Sequence, residues 1–348
     1  MVDMLLAKPK LPPDWIDVSV GEPYVVRDAL FQTFDISGWG IPTTEHGWEY
    51  PPPNGYGPLV EVLQFMHQAP VVVTNGAKQA LGATFYALKQ MGKNTMGMRL
   101  PYWALIPPLA TMHGIQSVTH SLESIQPETD SACFDSYLCL APNNPDGHSS
   151  LPGECPRVSS LLKSKNVPLI HDAVYYTHSY LPRSVALPAI GDVQIYSLSK
   201  MLGLSSLRVG YAVCPNPEFY KLIKEYVEAM TVGVSLPSQM FAYDLLNQMR
   251  GYPTKVEKFE NIAFDSLQES KKIIKQVDPE ILEVPANMEE VPGMFGWFKT
   301  GPKFSPERAK INFIDGSLFG VPGMIRMNLA FEKSKMQDIV TRLNSTKE

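Results

Sequence analysis

The stretch Ser197–Tyr211, SLSKMLGLSSLRVGY, decides how this chain is read. It puts Lys200 directly after a strand-like run and Arg208 a short way on, with Gly203 and two serines between them. The bland reading makes both residues solvated charges at the ends of a turn. The chemical reading makes Lys200 a partly desolvated, nucleophilic amine and Arg208 a planar fork for a phosphate. The neighbouring motifs have to choose between the two.

Working outward, each apolar strand-like run ends in a distinctive loop. Pro70–Val73 leads into Thr74–Ala80, TNGAKQA, where a glycine turns the chain and a helical period begins. Free N–H groups at a helix start suit an anion, although many such turns bind nothing. Met96–Leu100 leads into Pro101-Tyr-Trp103, an aromatic pair that is either core or a platform for a flat ring. Ser136–Ala141 leads into Ala141–Gly147, APNNPDG, a turn former whose Asn144 amide is placed to donate to a ligand oxygen. Val167–His171 leads into Asp172-Ala-Val-Tyr175. An acid at the end of a buried strand needs a cationic partner, and a protonated pyridine nitrogen would serve. Arg326 is the one charge in the apolar run GMIRMNLAF, so it pairs with an anion, either a structural acid or a substrate carboxylate.

The rest of the chain supplies the frame. The first fifty residues, rich in Pro, Gly and Trp, read as an extended arm and loops. Helical periods run over Leu59–His67, Leu105–His113 and Arg157–Ser164, over Pro217–Met249 with a break near Gly233–Pro237, and over Val256–Gln276. Asp192–Ser197 and Arg208–Cys214 read as strands, and short strands and a closing helix follow Pro279. Strands alternating with helices imply an α/β fold with a mostly parallel sheet, whose ligands bind just outside the carboxyl ends of the strands. The loops above therefore converge in space.

Bulk properties narrow the function class. The 348 residues are 44% hydrophobic and 19% charged, ordinary for a globular enzyme, and the net charge of -5 argues against a nucleic-acid binder. No apolar run approaches the roughly 20 residues of a membrane span. The N-terminal MVDMLLAKPKLPPDW is too poor in apolar residues for a signal peptide, so a cytoplasmic protein is expected. Cys133, Cys139, Cys155 and Cys214 show no metal-type pairing, and Cys139 and Cys214 read as buried free thiols. No metal is expected.

Taken in order, these motifs resemble those of the class I/II aminotransferases, the pyridoxal-phosphate-dependent enzymes of fold type I. The resemblance runs from about Val18 to Ala330, and SLSKMLGLSSLRVGY is its most specific element. It implies a large domain with a mostly parallel seven-stranded sheet between helices, plus a smaller α+β domain from the C-terminus and the N-terminal arm. The corresponding boundaries are 1–35 for the arm joining the small domain, 36–235 for the large pyridoxal-phosphate domain and 236–348 for the small C-terminal domain. The activity implied is transfer of an amino group from an L-amino acid to a 2-oxo acid. Other reactions on the same cofactor (lyase, decarboxylase, oxidase) and a non-catalytic cofactor-binding regulatory domain are the alternatives.

Residue by residue, the resemblance implies that Lys200 forms the Schiff base with pyridoxal 5'-phosphate and moves the proton between Cα and the cofactor. Asp172 matches the acid that pairs with the pyridinium nitrogen, and Tyr175 and Asn144 match the groups that bond the 3'-oxygen. Trp103 matches the stacking aromatic. Ala77 and Lys78, through backbone N–H groups, match the phosphate cradle together with Ser197 and Arg208; Ser199 is the second serine of the lysine motif. Arg326 matches the grip on the substrate α-carboxylate, with Gly21 of VGEP lining the substrate site. Tyr50 resembles a tyrosine that reaches the phosphate in a neighbouring subunit, which implies a homodimer with shared active sites. The chain departs from the family pattern at Ile106, Ala173 and Asp146. Arg27, Arg99 and Arg183 are each candidates to face an acid group of the substrate.

Overall fold

The computed structural model describes residues 11–35, 50–120, 134–147, 162, 164, 166–183 and 191–347. A two-residue strand, β1 (Ile16–Asp17), comes first. The next seven strands are β2 (Val71–Thr74), β3 (Thr95–Arg99), β4 (Gln116–His120), β5 (Ser136–Leu140), β6 (Leu169–Asp172), β7 (Val193–Ser197) and β8 (Gly210–Val213). They form one sheet in the order β2-β8-β7-β6-β5-β3-β4. Strands β3 to β7 pair in parallel, while β8 lies antiparallel between β2 and β7. Every residue of β2, β6, β7 and β8 is buried, which explains their valine- and isoleucine-rich composition: helices and loops cover both faces.

The crossover rule sets the functional edge. Parallel strands need long returns, so all their carboxyl ends open onto one side of the sheet. Strand β2 runs the same way as β7, because β8 is antiparallel to both. Ser197 and Thr74, at the ends of β7 and β2, both stand opposite Gly210 at the start of β8. The helix Gly76–Gln90 packs on β7, β8 and the helix Pro217–Thr231, and Gly57–His67 packs on Leu236–Gly251.

The C-terminal part carries a second, antiparallel sheet. Its strands are β9 (Leu282–Glu283), β10 (Phe295–Thr300), β12 (Ile314–Asp315) and β13 (Met324–Asn328), in the order β12-β13-β10-β9. Strand β11 (Ile311–Asn312) instead pairs in parallel with β1. The N-terminal segment is thereby stitched to the C-terminal elements, with Asn328 N–H donating to Val18 (2.8 Å) and Val25 N–H to Ala330 (3.2 Å). Beside it, the long helix Pro253–Ile274 and Lys333–Asn344 pack on each other.

Two elements differ from the sequence reading. Tyr24–Thr33, taken as arm or loop, is a helix with Val25, Val26, Ala29 and Leu30 buried, and it packs along Pro253–Ile274. It has no side-chain cap, and ten residues are too few to be stable alone, so tertiary contact makes it. Strand β4, QSVTH, has a polar pattern because it is the last strand beside β3. Cys214 is buried, but Cys139 is only half-buried. The expected helix over 157–164 lies outside the described residues apart from Leu162 and Ser164, as do Cys133 and Cys155. The helical break appears where expected: Val232 takes a left-handed backbone after Thr231, and helix resumes at Leu236. Among the described residues no helix is long and apolar enough to cross a membrane.

Candidate functional site

The strand ends of the seven-stranded sheet enclose a cavity of about 460 Å³. Strand β7 delivers Lys200 to it through a single helical turn, Leu198–Met201, which the Ser197 hydroxyl caps by accepting the Ser199 N–H (3.3 Å). The Lys200 amine donates to the Gly21 carbonyl, and the Tyr180 hydroxyl donates to the Lys200 carbonyl (2.9 Å). Burial pulls this amine down to about 8; Glu22 opposes the shift, while Arg326, Arg208 and Lys78 add to it. A fraction of neutral amine therefore exists near neutrality, which a nucleophile or general base requires.

Arg208 reaches the same space from a left-handed residue just before β8. Its fork donates to the carbonyls of Ser205 (2.9 Å) and Asn75 (3.4 Å), and among the described residues no carboxylate pairs with it. It lies against the turn that starts the helix Gly76–Gln90. A Cβ on Gly76 (φ +70°) would sit 2.3 Å from Arg208 Nη2, and one on Gly210 would sit 2.7 Å from the Ala77 nitrogen. Both glycines are required for this approach. The result is an open helix N-terminus, with the N–H groups of Ala77 and Lys78, beside an acid-free guanidinium. The buried Ser199 hydroxyl has no partner among the described residues.

The floor and far wall come from β6 and from the turn after β5. Asp172 ends β6 at 2% exposure, and its carboxylate accepts a hydrogen bond from the Val174 N–H (3.3 Å). Burial raises its carboxyl to about 7. Asn144 donates from Nδ2 to the Tyr175 hydroxyl (3.4 Å) and accepts at Oδ1 from Arg326 Nη1 (3.0 Å). The other arm of Arg326 donates to the Ser19 carbonyl, and the guanidinium lies 4.3 Å from the Phe295 ring centroid. Arg326 is 5% exposed and has no carboxylate partner among the described residues, and its Nε is unbonded. Burial lowers its pKa to about 10.

The cavity thus brings together Ala77, Lys78, Trp103, Asn144, Asp172, Tyr175, Ser197, Ser199, Lys200 and Arg208. Gly21 joins through Lys200 and Arg326 through Asn144. Tyr50 stands apart from the cavity lining, 85% exposed. Trp103 is half-buried, with the Lys78 ammonium 5.8 Å from its ring centroid. Of the three arginines considered for a second acid group, Arg99 pairs with Asp146, Arg183 with Glu260 and Arg27 with Asp28; none lines the cavity.

Two polar residues on its wall were not singled out from the sequence. Glu22 accepts a hydrogen bond from Ser205 (2.9 Å) and faces Lys200. The signal for Glu22 was its place beside Gly21; Ser205 carried none beyond being one more serine in the lysine motif. A second cavity of about 400 Å³ lies on the other side of β7, where Gln194 and Tyr196 alternate with Ser197. None of the expected site residues lines it.

A family model described as Allinase matches residues 65–286. Tryptophan aminotransferase-related protein 2 of Arabidopsis thaliana is 27% identical over 273 residues, which cover 72% of this chain and 59% of that protein. The match thus spans less than two thirds of that relative's length. A probable aspartate/prephenate aminotransferase of Aquifex aeolicus is 24% identical over 80% of this chain and 76% of its own. Among solved structures, the Thermus thermophilus aspartate aminotransferase with maleate superposes with a TM-score of 0.78 at 18% identity, covering 96% of this chain and 92% of that one. The Thermotoga maritima aspartate aminotransferase gives 0.73 at 20% identity, over 95% and 92%. These likenesses establish fold type I, and since the family model covers more than half of its residues, the chain belongs to the allinase family, within the pyridoxal-phosphate-dependent class I/II aminotransferase type.

Proposed function

We propose that this protein is a pyridoxal-phosphate-dependent aminotransferase that moves an amino group from an L-amino acid to a 2-oxo acid. One observation carries the reading: a buried amine, a buried acid and the Arg208 guanidinium converge on one cavity, and Arg326 meets it through Asn144, neither arginine having a carboxylate partner among the described residues. The donor set fits the cofactor. The unbonded Ser199 hydroxyl, the helix start at Ala77 and Lys78, Ser197 and Arg208 would hold a phosphate. Asp172, buried without a cation, would hold a protonated ring nitrogen, and that pairing would return its carboxyl to the ionised form. Trp103 would cover the ring face, and Asn144 and Tyr175 would bond the ring oxygen. Lys200 Nζ would hold the group covalently.

When bound, pyridoxal phosphate supplies an aldehyde carbon for amine exchange and a ring that accepts electrons from the substrate Cα. This chain's residues do the rest. Arg326 grips the α-carboxylate with its fork, and Asn144 and the Ser19 carbonyl fix the direction of that fork. That orientation holds the Cα–H bond toward Lys200. Lys200 Nζ takes the Cα proton and would pass it to the carbon that the cofactor's aldehyde supplies, a role matched by an amine pulled toward neutrality. Gly21 keeps the approach open: a Cβ there would come 3.3 Å from Phe295 and 3.7 Å from Nζ. Tyr50, exposed to solvent, would reach the phosphate in a second subunit of a homodimer with shared sites.

The test is a donor–acceptor screen on protein incubated with pyridoxal phosphate, following the cofactor between aldehyde and amine forms. Transfer gives a 2-oxo acid and the amine form without free ammonia. Stoichiometric ammonia would replace this reading with elimination or oxidation, which use the same binding groups.

A further inference from the structure

Strands β3 and β5 are parallel neighbours, and beyond their ends they carry two walls of the cavity. One wall is Pro101–Trp103; the other is the turn Asn143–Gly147. A buried polar network ties them together. Arg99 donates from Nη1 to Asp146 Oδ2 (2.9 Å) and from Nη2 to Oδ1 (2.8 Å). Asn143 Nδ2 donates to Asp146 Oδ1 (2.8 Å) and to the Pro101 carbonyl (3.0 Å). The two ionic side chains are only 10% and 6% exposed. On the far side of the turn, a Cβ on Gly147 (φ +67°) would fall 2.4 Å from the Pro292 carbonyl oxygen. The turn is therefore wedged between Arg99 and the segment that leads into β10.

Asn144 sits inside this wedge with both ends of its amide engaged, one by Tyr175 and one by Arg326. We propose that Arg99 and Asp146 are positioning residues for the substrate carboxylate, because they hold Asn144 where it aims the Arg326 guanidinium. The inference rests on the reading that Arg326 receives that carboxylate. Stability is a poor explanation for the pair: burying two charges costs nearly what their attraction returns, and apolar replacements of similar volume are often neutral. Nor does the turn need it to close, since Gly147 N–H already donates to the Asn143 carbonyl (3.1 Å). What the two-pronged contact adds is direction. Among the described residues no acid orients Arg326, so a displaced Asn144 leaves its fork tethered only by the Ser19 carbonyl and able to pivot about that bond over Phe295.

The experiment compares holoenzyme variants for stability, steady-state kinetics and binding of 3-phenylpropanoate, a carboxylate with no amine to react. Arg99→Met should lower the unfolding midpoint and raise KM for the amino donor about tenfold, with kcat within about twofold. The double variant R99M/D146A should regain the midpoint while KM stays raised and 3-phenylpropanoate affinity stays lowered by a similar factor. Recovery of KM together with stability would reduce the pair to a structural role and overturn the proposal. Arg99→Lys keeps the charge and loses the fork; it should fold normally with an intermediate KM, and a wild-type KM would also overturn the proposal. Arg326→Ala separates the two levels. If it leaves KM and 3-phenylpropanoate binding unchanged, the carboxylate reading itself fails; if it weakens both while the double variant weakens neither, only the positioning role fails.

Discussion

Lys200 and Lys271 are both taken out of water, and burial pulls both amines down, to about 8 and about 7. Both also donate to a backbone carbonyl, and what differs is the space around them. Lys271 sits in the helix Pro253–Ile274, donates to the Val291 carbonyl (2.5 Å) and, among the described residues, feels the Glu289 carboxylate. It lines neither large cavity. Lys200 opens into the space shared by Asp172, Arg208 and Ser199. A shifted amine therefore records burial, and it marks chemistry only where open volume and complementary groups converge on it. The arginines repeat the contrast: Arg99 is neutralised by Asp146, whereas Arg326, more deeply buried, has no acid among the described residues.

The largest test of the contrast removes each lysine in turn. Lys200→Ala should lower kcat by roughly 10³-fold or more, with an unchanged far-UV spectrum. Lys271→Met should leave kcat within about twofold. Normal turnover by the first variant, or its loss in the second, would break the comparison. A smaller effect is expected at the acid. Asp172→Ala should lower kcat on the order of 10²-fold and weaken binding of pyridoxal phosphate, read from its absorbance titration. Unchanged kinetics would remove Asp172 from the ring-nitrogen role.

How much of this was legible beforehand follows from where the information resides. The loops after β2, β5, β6 and β7 were readable because each combines a buried run with local turn chemistry. Gly76 and the Asn-Pro-Asp-Gly turn declare themselves within a few residues. The helix Tyr24–Thr33 did not, because its apolar face acquires meaning only against Pro253–Ile274. The Arg99–Asp146 pair was out of reach for the same reason. The two residues are 47 positions apart and meet only because β3 lies beside β5. From sequence, Arg99 was a candidate for a substrate acid and Asp146 a departure from the family turn; together they form one contact. Glu22 was adjacent to a recognised glycine, yet nothing in VGEP says that its carboxylate turns toward Lys200.

The last expected effect is read in stability and not in rate, and it sharpens the contrast from the side of Lys271. Its folded pKa of about 7 lies below the ordinary 10.5 of an unfolded lysine. Between those values the unfolded chain holds more protons at this position than the folded protein does, so stability rises with pH. Below about 7 both states are protonated and the full penalty of burying the cation is present; above 10.5 it is gone. The wild type should therefore gain up to about 1.4 kcal/mol per pH unit from this residue across that window. Lys271→Met removes that slope and also loses the bond to the Val291 carbonyl, a pH-independent deficit of about 1 kcal/mol. The difference between the two proteins isolates Lys271, because Lys200 contributes equally to both. Denaturant midpoints at pH 6.5 and pH 9 should show the variant ahead at the lower pH, with its advantage shrinking at the higher. Parallel curves would mean that Lys271 is not held as a buried amine, and the comparison with Lys200 would lose its second member.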